Sequence, residues 1–213
     1  MAKAIQIIWG IIFTVFLFLL GYKLMLLFSP LTMEQQQTID YLRGKQELPL
    51  QKSLLINKID TENNPGQHEQ EIKYYTEAEI LHLQDVRAVM NKIDYLFYGL
   101  LLLNVFLLSY FRSRKLELLK WLKAGSMIAI ISAVAIFLAI LFGFNSVFTL
   151  FHYLFFPQGN WLFPADSLLI KTFPPDFFML LGLRIFVLSL LLATTGYMLA
   201  RHYLQQNTAR TAY

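Results

Sequence analysis

Two histidines stand where an imidazole could do proton chemistry. His82 lies in "EILHLQDVR", with Glu79 three residues before it and Asp85 three after. On a helix both carboxylates come near enough to accept a hydrogen bond from the ring. Val86, Val89 and Ile93 continue its stripe at four, seven and eleven residues. A titratable ring on an inward stripe beside carboxylates can be a general base oriented by a partner. The same residues also fit a core histidine satisfied by its neighbours. His152 sits inside the aromatic run "FHYLFFPQGNW", where Phe148, Phe151, Tyr153, Phe155, Phe156 and Trp161 form an apolar wall. At a membrane interface such a ring can reach a lipid carbonyl without entering hydrocarbon. Alternatively it is an interfacial side chain doing what tyrosine does there.

The remaining polar candidates are fewer. Asn160 and Trp161 could offer donors to an oxyanion, or simply close the turn after Gly159. Arg184 lies about two turns inside the last apolar stretch, where a charge needs lipid phosphate, Asp166 or a route to the interface. Asn104 could bond a neighbouring helix. His68 reads as a solvated loop residue and His202 as a helix-end cation. With no cysteine there is no thiolate nucleophile, thiolate metal site or disulfide. Ser146 and Ser167 have no base beside them in sequence. "EILH" is a single Glu-x-x-His, and two-metal bundles need a second copy and more carboxylates. Neither a metal nor a coenzyme is expected.

The elements that carry these residues are set by hydropathy. The chain is 213 residues, 56% hydrophobic and 15% charged, a balance of membrane proteins. Four stretches can cross roughly 30 Å of hydrocarbon as helices: Ile5–Phe28, Tyr95–Phe111, Leu122–Phe144 and Phe178–Ala200. The connection 112–121 is basic, carrying Arg112, Arg114, Lys115 and Lys120, with Lys123 just beyond. Arg201 and Arg210 lie in the tail 201–213 and Lys3 near the start, whereas 145–177 holds only Lys171. The bias places both termini and the basic connection in the cytoplasm. Segments 29–94 and 145–177, with both histidines, then face outward. The net charge of +4 is spent on topology, so nucleic acid is not an expected partner.

Within the first outer segment, "MEQQQTIDYLRG" predicts a short helix closed by Gly44. "QKSLLINKID" and "QEIKYY" predict two strands around the turn-rich "TENNPGQ". Thr76 and Glu79 fit a capping box that starts the His82 helix. The expected fold is therefore an α-helical integral membrane protein, four transmembrane helices with a mixed α/β extracytoplasmic cap. Were the Thr76 helix unbroken into the second span, His82 would stand roughly 18 Å above the lipid. Then either the helix breaks near "NKID" or the reacting end of the substrate rises.

The motif "HLQDVR" after a helix cap, then "FTLFHYLFFPQGNWLFPADSLLIKTFPPDFF" before a final span, resembles the bacterial lipoprotein intramolecular transacylase family. The resemblance covers nearly the whole chain. It implies a plasma-membrane acyltransferase whose substrate is a diacylglyceryl-modified lipoprotein among membrane lipids. The sn-2 acyl chain moves to the α-amine of the N-terminal cysteine, giving a lyso-form lipoprotein. The family's two important histidines carry over to His82 and His152. In some relatives an acidic residue directly follows the proline of "FP"; here Pro175 stands there and Asp176 follows. On this reading His82 is the base, steadied by Asp85 or Glu79, and His152 stabilises the oxyanion or protonates the leaving group. Asn160, Trp161 and Arg184 are supporting residues. A non-catalytic membrane scaffold or partner subunit, or a zinc-dependent membrane hydrolase, are the alternatives.

Overall fold

The computed structural model describes residues 2–45 and 75–210. Among them every regular element is a helix: α1 (Ala2–Phe28), α2 (Met33–Leu42), α3 (Glu77–Tyr110), α4 (Lys115–Phe155), α5 (Leu168–Thr172) and α6 (Pro175–Arg210). Four are long and apolar enough to cross a membrane, within Gln6–Phe28, Glu77–Tyr110, Lys115–Phe155 and Pro175–Asn207. The mixed α/β cap is not supported, since no described residue is in a strand. The expected strand segment 51–60 and all but Tyr75 of 70–75 lie outside the described residues, as does His68.

Two helices run further than hydropathy alone suggests. The Thr76 helix does not break near "NKID"; α3 is continuous for 34 residues. Nothing between Glu77 and Tyr95 is glycine or proline, so no residue there interrupts the hydrogen-bond ladder. The third apolar stretch does pause where an end was expected, at Gly143 (φ −143, ψ 37), but helix resumes through Phe155. His152 therefore stands on a last helical turn and not in a post-helix loop.

The chain divides into two compact units. One comprises the residues up to Ser29, Ile93–Val147 and those from Met179 on. Its helices meet through small residues, which let backbones approach where hydrocarbon supplies no hydrophobic drive. A Cβ added to Gly10 would lie 3.3 Å from the Gly125 Cα. One added to Gly196 would lie 2.9 Å from Ser126 Oγ. Leu17 fills the space beside Ala129 and Ala193. Gln6 Nε2 donates to the Lys120 carbonyl (3.3 Å), so the starts of α1 and α4 and the last part of α6 share one end of this bundle. Toward the other end, Lys23 pairs with Asp94 and lies over Phe97 and Tyr98. Asn104, expected to bond a neighbour, donates instead to the Leu100 carbonyl of its own helix (2.8 Å).

The second unit, Pro30–Lys92 and Phe148–Phe178, has its own core of Ile39, Leu42, Tyr75, Leu83, Leu169 and Phe173. Helix α2 starts at a capping box between Thr32 and Gln35, and Gly44 follows it at φ 71, the left-handed conformation that glycine adopts freely. Gln35 Nε2 also donates to the Thr172 carbonyl (2.8 Å), and the Tyr75 hydroxyl bonds Thr38 and Thr172. Side-chain hydrogen bonds thus tie segments remote in sequence.

Candidate active site

The first turn of α3 is built as its sequence predicts. Glu79 N–H donates to Thr76 Oγ1 (3.3 Å), and Glu79 Oε2 accepts from the Thr76 N–H (2.6 Å) and hydroxyl (2.9 Å). The other carboxylate oxygen, Oε1, accepts from the Leu169 N–H (2.8 Å), one of the free amides at the start of α5. Glu79 is 1% exposed, and all its partners are donors. The expected bond from its carboxylate to the His82 ring is not made; Glu79 instead fixes the turn that carries His82.

One turn on, His82 is 6% exposed, and His152 at the end of α4 is 8% exposed. Their ring centroids are 6.3 Å apart with planes 21° from parallel. At that separation both rings can reach one reacting group at roughly 3 Å from a ring nitrogen. Aromatic side chains enclose the pair: Phe156 lies 4.9 Å from His82 and 5.6 Å from His152, Phe163 5.6 Å from His82, and Trp161 4.7 Å from His152.

The two rings are held differently. His152 Nδ1 is 2.7 Å from the Phe148 carbonyl oxygen, which can only accept. Nδ1 therefore carries the hydrogen, and in the neutral ring Nε2 keeps its lone pair. His82 Nδ1 is buried and makes no bond of full hydrogen-bond geometry, though the Asn160 side chain lies near enough to favour the charged ring.

After α4 the chain turns back at Gly159 (φ 79), whose N–H donates to the Phe156 carbonyl (3.1 Å). The turn returns Gln158 and Asn160 to Asp85, whose Oδ2 accepts from Asn160 Nδ2 (2.7 Å) and Gln158 Nε2 (2.9 Å). Asp85 is thus engaged by the turn and not by the His82 ring. Because a carboxylate only accepts, Asn160 must present its NH₂ to Asp85, leaving Oδ1 as its other polar atom. That Oδ1 is buried without a partner, as is Trp161 Nε1. Asn160 was expected as an oxyanion donor; its held donor side makes its remaining atom an acceptor. Trp161 keeps a free donor. Three buried polar atoms without partners thus belong to His82, Asn160 and Trp161, an uncommon concentration for a well-satisfied interior.

Arg184 is exposed on α6, in the bundle unit. Ser167, considered as a nucleophile, caps α5 through its Oγ, which accepts from the Ile170 N–H (3.3 Å). Gln158 and Phe163 were not singled out from sequence, whereas Phe156 belongs to the expected aromatic wall; the spacing of Gln158 and Asn160 about Gly159 is the one local signal for the Asp85 clamp. Among the described residues no group of three His, Cys, Asp or Glu side chains converges to hold a metal ion.

The family model for lipoprotein intramolecular transacylase Lit matches residues 5–178. The chain belongs to that family. Its fold is similar to the in meso structure of the membrane-integral lipoprotein intramolecular transacylase Lit from Bacillus cereus. That match has 22% identity and TM-score 0.69, covering 98% of each chain. A structure of the same Bacillus cereus protein with a histidine-to-arginine substitution matches at 22% identity and TM-score 0.63, over 99% of this chain and 95% of that one. No individually curated protein matches the chain. Family membership makes the molecule a multi-pass membrane acyltransferase and sets aside the scaffold and zinc-hydrolase alternatives.

Proposed function

We propose that His82, His152, Asn160 and Trp161 form the site at which this transacylase moves the sn-2 acyl chain of a diacylglyceryl lipoprotein to its N-terminal cysteine amine. The carrying observation is a pair of buried imidazoles 6.3 Å apart, with an unpartnered acceptor and an unpartnered donor on adjacent residues beside them. The Asn160 Oδ1 acceptor suits the N–H of the incoming amine. The Trp161 Nε1 donor suits the ester carbonyl oxygen, most of all as it becomes an oxyanion.

In the reaction the amine nitrogen bonds to the ester carbonyl carbon, the nitrogen loses a proton, and the carbon–oxygen bond to glycerol breaks as that oxygen gains one. His152 has its tautomer set by the Phe148 carbonyl, so Nε2 serves as base. This exchanges the roles that sequence alone suggested, because neither Asp85 nor Glu79 orients the His82 ring. The proton that Nε2 takes from the amine is then delivered by way of His82 to the departing glycerol oxygen, so both rings end as they began. Donor and acceptor sit on one substrate molecule, so held geometry replaces an encounter and supplies several kcal/mol of the barrier.

The membrane-crossing portions are read as Ile5–Phe28, Tyr95–Phe111, Leu122–Phe144 and Phe178–Ala200, with both termini cytoplasmic and the histidines outward. The shared bundle end of the α1 start, the basic connection and late α6 supports that topology. Arg184 then lies near the outer leaflet, where lipid phosphate suits it.

Mass spectrometry of lipoprotein N-termini from cells with and without the chain tests the activity; the lyso-form should appear only with it. His82→Asn and His152→Asn should each lower that product at least 100-fold with the protein still inserted. Full turnover in either variant would remove that ring from the mechanism. A substrate with a better glycerol-type leaving group should partly restore His82→Asn and not His152→Asn; the reverse pattern would exchange the roles. Trp161→Phe keeps the ring and loses the N–H, and should lower kcat about 100-fold with KM little changed.

A further inference from the structure

At the bundle end shared by the α1 start, the α4 start and late α6, a cavity of about 380 Å³ opens between Gln6, Lys120, Lys123, Met127, Tyr197 and Leu204. Its lining is almost wholly apolar, and Lys120 and Lys123 contribute mainly their carbon stems to it. Lys120 is exposed and paired with Glu117 (3.1 Å), but Lys123 is half-buried and has no carboxylate within 4 Å among the described residues. Its ammonium lies over the Tyr197 ring, 5.8 Å from the centroid. A cation drawn into an apolar recess without an anion is poorly compensated. Arg112, Arg114 and Lys115 precede it on the same connection, so the local charge is strongly positive.

We propose that this recess binds an acidic phospholipid, its phosphate on Lys123 and Lys120 and the start of an acyl chain along Met127 and Leu204. The residues repeat at helical spacing on α4 (120, 123, 127) and on α6 (197, 204), so the groove follows the helix axes. Basic recesses between membrane helices on the positively charged side hold anionic head groups by this combination. The inference is independent of the histidine site.

The test uses the full chain in neutral detergent with equal amounts of phosphatidylglycerol and phosphatidylcholine of matched acyl chains, read by native mass spectrometry. The wild-type protein should retain phosphatidylglycerol over phosphatidylcholine by about fivefold or more, the scale of one lysine near a lipid phosphate. Lys123→Gln should bring the two lipids to parity, and Lys123→Arg should keep the preference, showing that folding survives replacement there. Met127→Trp fills the apolar floor and should reduce the phosphatidylglycerol adduct with both lysines intact. Equal retention by the wild type, or an unchanged preference in Lys123→Gln, overturns the proposal. An adduct untouched by Met127→Trp, or displaced by excess glycerol phosphate, would identify a soluble-anion site and also overturn it.

Discussion

The two units bury different things. In the bundle the described side chains wholly removed from solvent are tiny: Ala129, Ala193, Ala200, Ser126 and Ser189, each at 0% exposure. Their burial brings helices together but adds almost no volume. In the unit that carries the histidines the most buried side chain is a carboxylate, Glu79, taking three hydrogen bonds from Thr76 and Leu169. The difference follows from what each must do. Helices in hydrocarbon gain little from burying more carbon and associate by backbone proximity. The histidine pair proposed to act on substrate must be held in one geometry, and directional bonds restrict geometry more than apolar contact does. The bundle should therefore respond to added volume, and the site unit to lost polarity.

The largest expected effect lies at Glu79. Glu79→Ala removes an acceptor from the Leu169 amide and from both Thr76 donors, and should destabilise the site unit by about 3–5 kcal/mol. Hydrogen exchange at the Leu169 amide should rise steeply while amides of α1 and of α6 beyond Ser189 keep their protection. Uniform loss of protection over both units would break the contrast. Glu79→Gln, which retains an acceptor for Leu169, should cost less.

In the bundle the corresponding test is Gly21→Ala. The new Cβ would lie 2.6 Å from Ser189 Oγ and 3.0 Å from the Ile185 carbonyl oxygen, a backbone atom that cannot swing away. Ser189 Oγ already donates to that carbonyl (2.8 Å), so its rotation is restricted too. Parting of α1 and α6 should cost about 1–3 kcal/mol by thermal unfolding in detergent. Gly99→Ala is the control: nothing lies within 4 Å of its new Cβ, and better helix propensity should leave stability equal or higher. Equal losses at both positions would mean that close approach is not what holds the bundle.

The same division explains what could be read beforehand. Apolar runs announce membrane helices, and the Thr76–Glu79 capping box is local, so both were visible in the sequence. The histidines stood out because each broke an apolar or aromatic pattern. Glu79 reaching Leu169, ninety residues away, leaves no local trace. Nor does the turn at Gly159 returning Asn160 to Asp85, which engages the NH₂ of its amide. Helix continuity stayed open for a different reason: hydropathy ends where polar residues begin, but the backbone of α3 has no breaker there and continues.

A surface carboxylate provides the smallest contrast with Glu79. On α2, Asp40 accepts from Gln36 Nε2 (3.0 Å) and lies 3.5 Å from Lys45 Nζ. The Gln36 hydrogen bond, opposed by partial burial and aided by the Lys45 charge, holds its carboxyl below the ordinary value of 3.8. A carboxyl whose folded pKa is depressed stabilises the fold above its unfolded pKa and loses that contribution as pH falls through the folded value. Asp40→Asn should therefore cost a few tenths of a kcal/mol at neutral pH, as helix-surface pairs do. The difference from wild type should shrink as pH drops below about 4, where the unfolded carboxyl begins to bind its proton. Thermal unfolding at neutral and acid pH checks this, with added salt reducing the Lys45 share. A loss approaching that of Glu79→Ala would show that α2 depends on polar contacts as the first turn of α3 does. A loss that persists unchanged in acid would show that the Asp40 charge is not its source.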